Sequence, residues 1–521
     1  MTRQIEKYIE EKYGLTPDLA KILIDKGINN RALVDAFFNP ELSELLPAES
    51  LPNSERAIER ILSAVGKKKR MVVWGHEDAD GVTSVSIMLK SLNILGADPD
   101  YYIPSKRREG HGLYKGAIDR LAQKGVEFIL TVDCCSSDKE VVEYAKEKGI
   151  EIVITDHHEI SHSIDGLLLV NPKLGGDSYR YLAGCGVAFK MAWGMLSLKA
   201  GMSLYDIKEK YPELLVFAAI GTIADKVPPI SENAIFIKEG AEILKTLHLP
   251  FIEVLRKKYN SEPSWELLVS LVSSGESENG KVPTVDLLLT RSMIEAEDII
   301  EPLLKKSEEW FKNATFYLEE AKKKIGRIRD YILIDLKDTD PRYLGFVANQ
   351  LKEIYDVPAI ILGRKENGTG VAEIRAPKGF NSLKLLEYLS PILINYGGHK
   401  LASGFSIEEW DIPVLFEEVE RYFKEHPQSK NIFADLVISN QPDKEKMTHL
   451  EELGKLGLEL RVLANHVKLG DIKELLEDYN VIDPERLLDL YAPETKVKIL
   501  FETSKDGLRV LKVIPLDMVK P

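Results

Sequence analysis

Residues 51–250 predict an α/β fold built on a parallel sheet, and three features carry that expectation. Short β-branched apolar runs recur with helix-length segments between them. The runs are continuous rather than alternating, as expected for strands buried on both faces by flanking helices. Acids and histidines stand directly after several of the runs, where the carboxyl ends of parallel strands leave their ligand-binding crevice. A long charged amphipathic segment follows, and then a second strand–helix alternation that predicts a smaller α/β domain.

The elements follow in order. Residues 1–50 read as an N-terminal helical segment that runs into the turn-rich "FFNPELSELLPAESLPN" (37–53). A helix near 54–65 places Ala57, Ile58, Ile61, Leu62 and Val65 at helical spacing. Strands are predicted at "MVVW" (71–74), "YYIP" (101–104), "FILTVD" (128–133), "IEIVITD" (150–156) and "GLLLVNP" (166–172). An apolar helix at 214–224 ends in Asp225, and residues 251–329 read as a helical connector whose last part, from about 290, is one long helix. The second alternation occupies 330–427, with strands at "YILID", "PAIILG", "GVAEIRAP" and "GFSIEE" and helices near 342–355 and 381–390. Between the last helix and the last strand lies "YGGHKLASGF" (396–405), rich in small residues, in which "GGH" alone reads as a tight turn. Residues 428–521 form a C-terminal module in which helices are expected to dominate, either α/β or a degenerate oligonucleotide-binding fold. Its predicted strands are "NIFADLVIS", "TKVKILFET" and "GLRVLKVIP".

Composition narrows the function classes. A chain of 521 residues is too long for one core. No apolar run approaches the roughly 20 residues that span a bilayer, so no membrane partner is expected. Three cysteines without a C-x-x-C pair suit neither a disulfide framework nor a zinc site, and a reducing cytoplasm is the expected location. A net charge of −14 argues against coating nucleic acid by bulk electrostatics, but not against a nuclease whose acidic site is neutralised by cations.

The chemistry concentrates in four places. His76, Asp78 and Asp80 follow the first strand, Asp133 ends the third, Asp156, His157 and His158 follow the fourth, and Asp225 ends the apolar helix. One Asp at a strand end caps a helix or starts a turn. Four segments delivering such groups to one sheet edge call for a cation, because ionised carboxylates beside an apolar core are costly without one. Oxygen and imidazole ligands without thiolate suit Mn²⁺ or Mg²⁺. Two such ions roughly 3.5–4 Å apart clamp the attacking and leaving oxygens of a phosphoryl displacement.

"HEDADG", "VDCC", "TDHH" and "IADKVPP" resemble the four signature motifs of the DHH phosphoesterases. "FFNPELSELLP", "LPNSERAIERI", "YIPSKRREGHGL", "GCGVAFK" and "YGGHKLASGFSI" are similar to stretches of the RecJ-like single-strand exonucleases within that family, over roughly residues 15–425. The resemblance implies a DHH catalytic domain at 51–250 and a DHH-associated, substrate-binding domain at 330–427. It implies that His76, Asp78 and Asp133 hold one cation and Asp80, Asp133, His157 and Asp225 the other, with Asp133 as the catalytic bridge. His158 would face the substrate phosphate as a catalytic group. Gly397, Gly398 and His399, with Arg375 nearby, would meet the nucleic acid, and Arg107 and Arg108 are candidates to follow its backbone. His76 stands where bacterial members have Asp and archaeal relatives have His. Glu373 stands where bacterial members have a serine that helps Arg375 bind a 5′ phosphate, and a carboxylate there opposes a phosphate.

The function implied is metal-dependent exonucleolytic hydrolysis of single-stranded DNA, releasing mononucleotides in DNA repair and recombination, with RNA left open as a second polymer. Repair or replication proteins would dock on the C-terminal module. Two other classes fit less of the chain: a short-oligonucleotide or nucleotide phosphoesterase, and a non-catalytic replication scaffold, which would be expected to lose ligands that are all present here.

Overall fold

The computed structural model describes residues 2–105, 108–110, 112–160, 166–175, 181–325, 330–365, 368–427, 434–438, 444–483, 486–489, 492–504 and 506–515. The chain divides into two compact units, Met1–Ser307 with Leu456–Leu458, and Glu308–Lys455 with Glu459–Pro521.

The first unit is organised by a wholly parallel sheet of five strands: β1 (Met71–Trp74), β2 (Asp100–Tyr102), β3 (Phe128–Val132), β4 (Glu151–Thr155) and β5 (Leu169–Val170). Their order is β2-β1-β3-β4-β5. Every residue of β1 and β3 is buried, which is why their sequences do not alternate. On one face Val73, Leu130 and Val153 pack into the main core with the apolar helices Ala79–Ile94, Gly184–Ala200 and Glu213–Ala224. On the other, Trp74, Ile129 and Ile154 meet Ala117, Ile118, Leu121 and Ala145 from the helices Lys115–Gln123 and Lys139–Glu147. Three helices precede the sheet within the first 38 residues, as the N-terminal pattern predicts. The long charged segment is a single helix, Met293–Lys324.

The second unit holds two mixed sheets. β6 (Ile332–Asp335), β7 (Ala359–Arg364), β8 (Gly370–Arg375), β9 (Asn395–Gly398) and β10 (Ala402–Ile407) run in the order β6-β7-β8-β10-β9. Only the β6–β7 pair is parallel. Of the three residues "GGH" that alone read as a tight turn, the two glycines are therefore in a strand. Gly397 and Gly398 lie in the edge strand β9, and the turn is confined to 399–401, with the His399 amide donating to the Ala402 carbonyl at 2.8 Å.

The C-terminal module needs a larger correction. β11 (Leu436–Ile438), β12 (Arg461–Lys468), β13 (Val481–Ile482), β14 (Lys496–Ser504) and β15 (Gly507–Pro515) form a sheet in the order β11-β12-β14-β15-β13. Among the described residues the helices are Lys444–Lys455 and Leu469–Leu476, so strands and not helices dominate. The strands missed in the sequence are the two-residue β13 and the longer β12, "RVLANHVK". It opens on a charge, but that charge is buried: Arg461 pairs with Asp356 at 2.6 Å and with Glu502 of β14 at 3.2 Å.

Candidate metal centre

The acids converge because each sits where its strand or helix stops. β1 runs into Gly75 and His76, and Asp78 is the N-cap of helix Ala79–Ile94, its Oδ1 accepting from the Gly81 amide at 2.8 Å. The cap uses one oxygen only, and Oδ2 of the same carboxylate lies 2.8 Å from His76 Nδ1. Asp80 is buried inside the first turn, and its oxygens accept from the amides of Gly184 and Cys185 at 2.7 and 2.8 Å. Those two amides open the helix Gly184–Ala200, whose positive end stabilises the carboxylate.

Asp133 follows β3 with a φ of 59°, a left-handed conformation uncommon outside glycine and found most often at functional positions. Its carboxylate is 1% exposed. His157 Nε2 stands 3.1 Å from Asp133 Oδ1 and 3.7 Å from both Asp80 Oδ2 and Asp225 Oδ2. His76 Nδ1 reaches the other side of the same carboxylate, 3.9 Å from Oδ2. Two glycines leave room for this packing. A Cβ on Gly184 would lie 2.5 Å from Asp133 Oδ1, and one on Gly221 would lie 2.8 Å from Asp80 Oδ1.

Electrostatics set the centre apart from an ordinary ion-pair network. Burial pushes the Asp133 carboxyl well above its usual range, and the neighbouring Asp80, Asp78 and Asp156 push it further. Burial, then Asp80 and Asp78, raise Asp225 to about 8. Burial lowers His157, holding it as a neutral imidazole able to act as a ligand. Both Asp133 oxygens and His157 Nε2 are buried without a hydrogen-bond partner. A buried carboxylate left this way is expensive, and a divalent cation would satisfy all three atoms at once. Three groups have ligand atoms within 4.8 Å of one another: His76, Asp78 and Asp133; Asp80, His157 and Asp225; and Asp133, His157 and His158. The residues therefore fit hard cations with oxygen and imidazole ligands.

His158 differs from the others. Its side chain is half exposed, and Nδ1 is held 2.8 Å from Asp156 Oδ1. That hydrogen bond raises the imidazole's pKa despite partial burial. Asp156 in turn accepts from the amides of Ser136, His157 and His158. The sequence marks no separate task for Asp156. The structure makes it the anchor that orients His158, and its place two residues before that histidine is the available signal. The Gly184 and Cys185 amides have no side-chain signature to read.

Arg107 is outside the described residues. Arg108, in the first unit, donates from Nη2 to the Ser277 carbonyl at 2.6 Å. Arg375, Gly397, Gly398 and His399 belong to the second unit. There Arg375 Nη1 is bound to Glu373 Oε2 at 2.7 Å, so the arginine's charge is partly neutralised. Gly398 has a φ of 128° and would place a Cβ 2.5 Å from Ser403 Cα, so no larger residue fits.

Comparison with known proteins agrees with this geometry. Residues 70–222 match the DHH family, N-terminal domain, and residues 330–425 match the DHHA1 domain. The single-stranded-DNA-specific exonuclease RecJ of Bacillus subtilis is 30% identical over 492 residues, covering 90% of this chain. The chain spans 61% of that relative's length. A crystal structure of exonuclease RecJ bound to manganese superposes with a TM-score of 0.61 at 26% identity, over 73% of this chain and 95% of the other. RecJ of Thermus thermophilus in complex with Mn²⁺ shares the fold over 99% of this chain and 78% of its own, with a TM-score of 0.68 at 21% identity. The domain pair, its order along the sequence and the similarity spread over most of the length agree: the chain carries a DHH N-terminal domain and a DHHA1 domain, and over most of its length it is similar to RecJ exonucleases.

Proposed function

We propose that the chain is a metal-dependent exonuclease that hydrolyses phosphodiester bonds of single-stranded DNA and releases mononucleotides. The observation that carries this reading is the shared carboxylate. Asp133 belongs both with His76 and Asp78 and with His157, and neither of its oxygens has another partner. In this reading His76 and Asp78 would hold one Mn²⁺ or Mg²⁺, Asp80, His157 and Asp225 would hold a second, and Asp133 would be a ligand common to both. When bound, such a pair would polarise the phosphoryl oxygens and lower the pKa of a water so that a nucleophile is available near neutral pH.

The chain's own residues do the rest. The amides of Gly184 and Cys185 fix Asp80, and the Asp78 cap fixes the loop that carries His76. His158, kept cationic to higher pH by Asp156, donates a charged hydrogen bond to a non-bridging phosphate oxygen as negative charge grows there. In the second unit the backbone of Gly397 and Gly398 admits a phosphate closely, and His399 supplies a donor. Arg107 and Arg108 follow the strand's backbone. The pairing of Glu373 with Arg375 supports a further expectation, that a 5′ phosphate gives little advantage over a 5′ hydroxyl.

The working context we infer is repair and recombination in the cytoplasm, with protein partners on the C-terminal module. No helix among the described residues is long and apolar enough to cross a membrane. The deciding experiment is digestion of end-labelled single-stranded DNA and RNA with Mn²⁺, Mg²⁺ or chelator. Stepwise release of mononucleotides from long strands supports the proposal. Cleavage of short oligonucleotides alone points to a small-substrate phosphoesterase, and no cleavage with any cation points to a scaffold.

A further inference from the structure

β2 ends at Tyr102, and the stretch that follows, from Ile103 to Glu109, carries Arg108. A turn at 277–281 is knitted along this stretch. The turn closes on itself through Glu278 and Lys281, whose amides donate to each other's carbonyls at 2.8 and 3.0 Å. Gly280 has a φ of 81°, and a Cβ there would stand 2.4 Å from the Tyr102 ring, so only glycine lets the turn lie against that ring. The Gly280 carbonyl accepts from the Ile103 amide at 3.0 Å, and Lys281 pairs with Asp100 at the start of β2. The stretch is held at its other end as well. Glu109 accepts from the Ser105 amide at 2.9 Å and from the Tyr102 hydroxyl at 2.7 Å.

Ser277 is where these ties meet. It is buried, at 2% exposure, and engages all three of its polar groups. Its hydroxyl donates to the Ile103 carbonyl at 2.5 Å, its carbonyl accepts from Arg108 Nη2 at 2.6 Å, and its amide donates to Glu77 Oε1. Glu77 stands between His76 and Asp78, yet it is in none of the three groups whose ligand atoms converge. Its carboxylate reaches instead to a residue 200 positions further along the chain. Both backbone groups of Ser277 are thus taken by charged side chains of opposite sign, and bonds of this kind are roughly twice as strong as neutral ones. Loss of either partner would leave a buried backbone group unsatisfied.

We propose that Glu77 is a positioning residue for the nucleic-acid strand: through Ser277 it sets the place from which Arg108 meets the backbone phosphates. The inference rests on the reading of Arg108 as a strand contact and deepens it. Arg108 is exposed, and a long exposed side chain gives up rotamer freedom when it binds. A guanidinium docked on the Ser277 carbonyl has given up much of that freedom already, and its several donors let it hold a carbonyl and a phosphate oxygen together. The dock is only as fixed as Ser277 itself. Glu77 ties that residue to the junction between β1 and the helix capped by Asp78. An acid beside the path of a polyanion is unfavourable by charge alone. Its place here is explained by what it holds.

The test is equilibrium binding of a fluorescently labelled oligothymidylate to the full chain in chelator, so that no strand is cut. Arg108→Ala should weaken binding about ten-fold. Glu77→Ala should weaken it about three- to five-fold, although the lost negative charge on its own would strengthen it. Glu77→Gln keeps an oxygen for the Ser277 amide and should stay within about two-fold of the unmodified chain. In the Arg108→Ala background, Glu77→Ala should bring no further loss. Tighter binding by Glu77→Ala, a Glu77→Gln variant as weak as Glu77→Ala, or no saturable binding by the unmodified chain would each overturn the proposal. So would a Glu77→Ala loss that persists undiminished without Arg108, since a damaged fold weakens binding whether or not that arginine is present. If strands are digested and yet Arg108→Ala binds as tightly as the unmodified chain, this inference falls while the exonuclease reading stands.

Discussion

Both units bury carboxylates, and they treat them in opposite ways. In the second unit Asp356 is 5% exposed and meets Arg461 at 2.6 Å and Lys512 at 3.4 Å, while Glu502 takes the other side of the same guanidinium. In the first, Asp80 and Asp133 are buried more deeply, and among the described residues no lysine or arginine lies within ion-pair reach of either. Pairing is not foreign to that unit: Lys190 and Glu232 form a fully buried pair at 2.6 Å beneath the same helices. The difference is one of purpose. A buried pair that closes on itself fixes packing. A buried carboxyl flanked by histidines, with neither oxygen hydrogen-bonded, as in Asp133, takes up its charge only with something that arrives later.

The largest expected effect comes from removing that charge. Asp133→Asn keeps the shape and should lower digestion of single strands by about 10³-fold or more, because both proposed cations lose a ligand. Metal content of the purified variant should fall in parallel. Near-normal turnover with two equivalents of metal retained would show that Asp133 does not bridge.

The matching change in the second unit should act on stability instead. Arg461→Ala strands Asp356 and Glu502 in the interior and should cost about 3–5 kcal/mol in urea unfolding. Changing Arg461, Asp356 and Glu502 together to apolar residues of similar size should recover most of the loss. If Arg461→Ala alone were neutral, the two regions would not differ as described.

A smaller effect separates the groups proposed to hold cations from the one that faces outward. His158→Ala should retain both equivalents of metal and lose about 10²–10³-fold in rate. Asp156→Asn should give part of the same loss by freeing the imidazole, and loss of one metal in His158→Ala would move the residue among the ligands.

How far the sequence reached follows the same division. The strands of the first sheet were legible because burial on both faces makes "MVVW" and "FILTV" unbroken, and the metal edge because its acids stand at their ends. β12 was not legible, since its first residue is charged and its burial depends on Asp356, more than 100 residues earlier. β9 was hidden for a different reason. All four of its residues are exposed at a sheet edge, so hydrophobic alternation has nothing to report. Cross-strand register likewise cannot be read from one strand, and so Glu373 could be recognised beside Arg375 but not beside Gly404 and Gly397.

The smallest effect sharpens the comparison without any substitution. Asp225 titrates near 8 in the folded chain against 3.8 for an unperturbed carboxyl, and Asp133 is also raised. A carboxyl raised on folding adds stability while it stays protonated and loses it as pH climbs towards its folded value. His158, raised by its Asp156 hydrogen bond, loses its contribution in the same direction above its ordinary 6.5. His157, lowered by burial, acts in the opposite direction, but only near 6.5 where the unfolded imidazole is still partly protonated, so it offsets little of the fall. In chelator the melting temperature of the first unit should therefore fall by a few degrees between pH 6.5 and 8. With Mn²⁺ bound, the carboxylates are ionised at both ends of that range, and the fall should shrink or disappear. The stabilisation given by Mn²⁺ should accordingly be larger at pH 8 than at pH 6.5, as thermal melts at matched ionic strength would show. A melting temperature in chelator that rose across this window would mean that the acids find another partner when no cation is present, and the contrast with the Arg461 cluster would vanish.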